Sequence, residues 1–173
     1  MIKIIFTLII TLLFSCNSIK TKENILGETN KPNLSCPENG VCTIEIIKNK
    51  SLIIKRDEIN SIYYQTEDNT NCSIIKYSYT KKSKKGVQDD NYIEEIIFQI
   101  QNSDSDLELT DLELQNTKML FGKHCFCKGQ AGYYLIVKGN MNFNKKKEEY
   151  NLVLNFIVPE VPQRISTIKA SFK

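Results

Sequence analysis

The chain predicts a mostly β domain, an antiparallel β-sandwich or a curled sheet that carries one short helix at about residues 111–121. Three observations predict it. Apolar residues recur at every second position through most of the chain, which gathers them on one face of a pleated strand. Short polar or turn-forming breaks separate the alternating stretches, at a spacing that suits an antiparallel sandwich or curled sheet. One Thr-x-x-Glu signature interrupts the pattern.

The elements follow in order. Ile44 and Ile46 alternate with Thr43 and Glu45, then Ile75, Tyr77 and Tyr79 with Lys76, Ser78 and Thr80, then Ile96, Phe98 and Ile100 with Gln99 and Gln101. Breaks are expected at Asn49-Lys50, at Glu67-Asp68-Asn69, and over 81–90, 102–106 and 144–147. Thr110-Asp111-Leu112-Glu113 has the form of a capping box, and Gly122 stands where a helix ends in the left-handed conformation. Late in the chain Leu152, Leu154, Phe156 and Val158 share a face, as do Ile168, Ala170 and Phe172. Between these two strands Pro159 and Pro162 mark an extended crossing, because neither can donate to a ladder.

The first sixteen residues follow a different logic. Lys3 precedes an apolar stretch, Ile4 to Phe14, broken only by Thr7 and Thr11, and Leu13-Phe14-Ser15-Cys16 closes it. The stretch falls far short of the roughly 20 apolar residues that span a bilayer, so residues 1–15 are expected to be a secretory signal peptide. The closing tetrad resembles the lipobox of bacterial lipoproteins. That resemblance implies cleavage just before Cys16 and fatty-acyl chains of the palmitate type on it, enough apolar chain for stable anchoring. In lipoproteins of Gram-negative bacteria an Asp after the cysteine favours inner-membrane retention, so Asn17 in that place implies the outer membrane in preference to the inner.

Losing 15 residues from 173 leaves 158, the size of a single domain. Residues 16–35 are polar and without periodicity, a lipidated tether, and residues 36–173 form the β-rich domain. The leader takes Lys3 with it and leaves 22 basic against 20 acidic residues, too even a balance for a nucleic-acid partner.

Five cysteines remain besides Cys16: Cys36, Cys42, Cys72, Cys125 and Cys127. In a secreted protein they are disulfide candidates. Cys36 and Cys42 bracket Pro-Glu-Asn-Gly-Val and are expected to pair across that turn-rich loop, stabilising the fold by about 2 kcal/mol. Cys72 is expected to bond Cys125 or Cys127 and leave the other as a buried thiol. His124, Cys125 and Cys127 also supply the donor types of a soft-metal site for copper or zinc. In a strand, however, 124 points away from 125 and 127.

Other chemistry is weaker. His124 is the chain's one histidine and has no Gly-x-Ser-x-Gly elbow beside a serine. Glu94 and Glu95 are expected on opposite, solvated faces of a strand, and the 104–115 segment lacks the Gly and Glu of a calcium loop. No cofactor is expected. The sequence therefore points to a lipid-anchored envelope protein, a non-enzymatic binding or structural module for an envelope protein or polymer. The alternative is a thiol-based redox or metal-handling protein acting through residues 124–127.

Overall fold

A computed structural model describes residues 32–173 apart from 84, 85, 87 and 88. The leader, Cys16 and the tether up to residue 31 lie outside the described residues. Among the described residues ten strands form two antiparallel sheets. In one, β1 (Asn33–Leu34), β10 (Thr167–Phe172), β9 (Glu149–Phe156), β8 (Gly139–Lys146) and β5 (Asp106–Thr110) lie side by side in that order. In the other the order is β2 (Gly40–Arg56), β3 (Ile62–Lys81), β4 (Tyr92–Gln101), β6 (Leu120–Cys125) and β7 (Gly132–Leu135). Every pairing is antiparallel, as the alternating pattern requires.

The main core lies between the sheets and is built from the faces read in the sequence. Ile75, Tyr77, Tyr79, Ile96, Phe98 and Ile100 meet Leu152, Leu154, Phe156, Ile168, Ala170 and Phe172 there, with Ile44 and Ile46 packed at the margin. The proline-bearing crossing contributes Val158, Val161 and Ile165 to the same core. It is held by Gln163, which accepts from the N–H of Val158 at 2.6 Å and donates to the carbonyl of Ile165 at 2.7 Å.

The β2–β3 hairpin departs from expectation. Neither Asn49-Lys50 nor Glu67-Asp68-Asn69 ends a strand. The first is a bulge, with Asn49 at φ 58°, and the second runs through β3. The turn itself falls at 57–61, where Asp57 Oδ1 accepts from the N–H groups of Ile59 and Ser61 at 3.0 and 2.7 Å. A bulge sharpens twist, so the outer half of this long hairpin becomes an arm bent away from the line of the sheet. Leu52 of the arm packs on the outer face of its own sheet against Ile74, Ile97 and Leu120. Ile62 pairs with Tyr133, which closes β3, β4, β6 and β7 into a curl.

The helix is shorter than expected. Thr110 N–H bonds Glu113 Oε2 at 3.0 Å, as a capping box requires, but the element is a single 3₁₀ segment, Asp111–Thr117. Lys118, at φ 53°, ends it, and Gln115 Nε2 ties the carbonyls of Met119 and Ile136 at 2.9 and 2.8 Å. The chain is thereby committed to β6 four residues before Gly122. That glycine serves a close approach instead: a Cβ there would lie 2.6 Å from the Tyr133 ring.

The domain also begins earlier than Cys36. Asn33 and Leu34 pair with Ser171 and Ala170, and Ser35 exchanges hydrogen bonds with Lys169, so the last residues assigned to the tether are an edge strand.

Candidate functional site

The unusual polar groups gather at one end of the curled sheet, where β4, β6 and β7 meet. Antiparallel register sets Tyr92 opposite Cys125, Glu94 opposite Lys123 and Glu95 opposite Gly122. Consecutive residues of β4 face opposite ways, so Glu94 enters the space between the sheets and Glu95 the space beneath the arm.

Glu94 is 0% exposed. Its carboxylate accepts from the backbone N–H groups of Arg164 and Ile165, each at 2.7 Å, and from the Tyr92 hydroxyl. Lys123, 2% exposed on the neighbouring strand, donates from Nζ to the carbonyl of Pro162 at 2.7 Å and to Gln130 Oε1 at 2.9 Å. The Arg164 guanidinium lies 5.1 Å and the Lys123 ammonium 5.6 Å from the centre of the Tyr92 ring. Burial, then the bond to Glu94, pushes the Tyr92 phenol well above its ordinary value, so it remains a donor.

Glu95 is buried on the other face. It pairs with Lys76 Nζ at 2.9 Å and accepts from the Tyr133 hydroxyl at 3.0 Å, with the Tyr64 hydroxyl at 3.5 Å. Tyr64 and Tyr133 meet edge to face at 5.2 Å, and His124 packs against Tyr133 at 5.4 Å. Both phenols are pushed up, first by burial and then by the charge of Glu95. For Lys76 burial pulls the ammonium down, but the hydrogen bond and charge of Glu95 outweigh it and leave the group raised. The solvated faces expected for Glu94 and Glu95 are therefore corrected. The opposite orientation holds, but the crossing covers one carboxylate and the arm covers the other.

Among the described residues two disulfides are present. Cys36 and Cys42 pair as expected, with Cα atoms 5.7 Å apart. The bridge from Cys72 to Cys125 or Cys127 does not form: Cys125 and Cys127 pair with each other, their Cα atoms 5.2 Å apart, and Cys72 is a buried free thiol whose Sγ lies 3.4 Å from Gln101 Oε1. Register explains the difference. Cys72 opposes Gln101 at one end of β4 and Cys125 opposes Tyr92 at the other, roughly 30 Å away at strand rise.

His124 faces Tyr133 beneath the arm while Cys125 lies on the opposite face, so the three soft-metal donors do not converge. Among the described residues no group of three His, Cys, Asp or Glu side chains is arranged to hold a metal ion. Between the paired cysteines Phe126 projects outward, 86% exposed, beside a hollow of about 340 Å³ lined by Cys125, Phe126, Cys127 and Lys128. Sequence reasoning found these cysteines but missed Tyr92, Lys123, Arg164 and the Lys76–Glu95–Tyr133 group. A local signal for them existed only in the charged residues set among the apolar ones of β4 and β6.

Compared with known protein families, curated proteins and solved structures, the chain finds no match.

Proposed function

We propose that this protein is a lipid-anchored component of a bacterial cell envelope, held in the outer rather than the inner membrane, whose β-sandwich is a non-enzymatic binding or structural module for another envelope component. The Leu13-Phe14-Ser15-Cys16 tetrad at the end of an apolar leader carries the reading. Two features of the domain support it. The Cys36–Cys42 and Cys125–Cys127 bridges suit an oxidising compartment. The entry point of the chain is also reinforced: β1 pairs with β10, Tyr77 donates to the carbonyl of Ser35 at 3.3 Å, and the first disulfide fastens this strap to β2. A domain tethered through its N-terminus is held there. The engagement of Glu94, Glu95, Lys76 and Lys123, each bonded to groups that fix the crossing, the β6–β7 turn or the arm, supports the non-enzymatic part of the reading.

Cys16→Ala tests the anchor. The unsubstituted protein is expected in the membrane fraction and labelled by a fatty-acid tracer, and the variant is expected unlabelled and in the soluble fraction. A variant that remained acylated and membrane-bound would contradict the proposal.

A further inference from the structure

We propose that the Cys125–Phe126–Cys127 turn is a thiol–disulfide exchange site that oxidises a dithiol presented by an extended or unfolded protein segment carrying an apolar residue nearby. The juxtaposition of a short-range disulfide and an exposed aromatic side chain between its two cysteines carries it. The inference does not rest on the lipid anchor.

The two disulfides differ in what they do for the fold. Cys36–Cys42 spans six residues, joins the β1 strap to β2, and receives the Tyr77 hydroxyl on Cys42 Sγ at 3.0 Å. Cys125–Cys127 spans two and joins no separate elements. A closed loop that short removes little freedom from the unfolded chain, so its bond contributes little that opening it would lose. The segment after Cys125 leaves the sheet for a turn in which Gln130 N–H bonds the carbonyl of Cys127 at 3.2 Å and Gly129 takes φ 72°. Both sulfur-bearing residues are partly exposed there, and Phe126 stands out from between them. An incoming apolar side chain can pack on that ring and bring the thiol of a neighbouring substrate cysteine to the hollow at its base.

The chemistry has a direction. Cys127 lies beyond the strand, and the attack is assigned to its sulfur. Cys125, the last residue of β6, is the cross-strand neighbour of Tyr92, over whose ring the Arg164 and Lys123 cations lie. Cross-strand Cβ atoms lie about 5 Å apart, so a thiolate released at Cys125 leaves next to the Tyr92 ring that carries both cations. A better-stabilised leaving thiolate departs faster. A substrate thiolate attacks Cys127 Sγ, the bond to Cys125 Sγ breaks, and its electron pair remains on Cys125. The second substrate thiolate then attacks the substrate's own sulfur in the mixed disulfide and releases Cys127. The substrate loses two electrons and two protons and becomes a disulfide, and Cys125 and Cys127 gain them as two thiols.

The purified full-length chain is equilibrated in glutathione buffers of varied ratio, free thiols are alkylated, and cysteine peptides are measured by mass spectrometry. Cys125–Cys127 is expected to be half reduced at a ratio that leaves Cys36–Cys42 fully bonded. A dithiol peptide with a neighbouring phenylalanine is expected to become its disulfide, with an equimolar amount of reduced Cys125/Cys127 appearing. Phe126→Ser should slow the peptide reaction several-fold and leave the glutathione rate unchanged. The proposal is overturned if Cys125–Cys127 opens only where Cys36–Cys42 opens, if both cysteines emerge as free thiols from protein that has met no reductant, or if peptide oxidation survives in the Cys125→Ser/Cys127→Ser double variant. Equal slowing of both reactions by Phe126→Ser would overturn the docking role of that ring.

Discussion

Glu94→Ala is expected to destabilise the domain by about 3–5 kcal/mol, the range for removing one partner from a buried charged network. Alanine would leave the N–H groups of Arg164 and Ile165 and the Tyr92 hydroxyl without their acceptor, and the Ile165 N–H among them is buried. It would also remove the negative charge facing Lys123 and Arg164. The crossing between β9 and β10 would lose its hydrogen bonds to β4 and keep the Lys123–Pro162 bond to the curled sheet, next to the core residues Val161 and Ile165. Glu94→Gln keeps one acceptor oxygen and should recover part of the loss. Urea denaturation of both variants measures this. A shift below about 1 kcal/mol for Glu94→Ala would mean that the carboxylate does not hold the crossing.

Phe156→Ala should cost about the same by a different mechanism. Phe156 is 2% exposed, and its ring centre lies 6.1 Å from that of Phe121 across the two sheets. Truncation opens a cavity that the rigid backbone on both sides cannot fill, which gives a loss of about 3–5 kcal/mol. Lys146, exposed at the β8–β9 hairpin, provides the contrast: Lys146→Ala should change stability by no more than about 0.5 kcal/mol. Equal denaturation midpoints for the two variants would mean that β9 turns its other face to the core.

The β9 face was legible because it follows one rule. A strand with one wet face alternates, and Leu152, Leu154, Phe156, Ile168, Ala170 and Phe172 do so without exception. The curled sheet breaks that rule. β4 is covered on both faces, so Ile96, Ile97 and Phe98 form a continuous apolar run, and its outer face cannot be separated from its inner by period alone. What covers that outer face is the β2–β3 arm, closed by the Ile62–Tyr133 pairing, a contact between residues far apart in the chain that no local pattern encodes. The burial of Glu94 has the same origin, since its partners Arg164 and Ile165 arrive seventy residues later. The capping box at Thr110 was readable because its two partners are three residues apart. The helix end was not, because Gly122 matches a stop signal while Gln115 and Lys118 had already ended the segment for tertiary reasons. Cysteine pairing failed by the same measure: counting thiols leaves Cys72 free to choose a partner, and only the length of β4 removes the choice.

The proposed anchoring has one direct readout, the N-terminal peptide of the protein extracted from membranes. Mass spectrometry is expected to find a chain that begins at Cys16 and carries fatty-acyl chains on that residue. An N-terminus at Met1, or an unmodified Cys16 within a longer peptide, would contradict it.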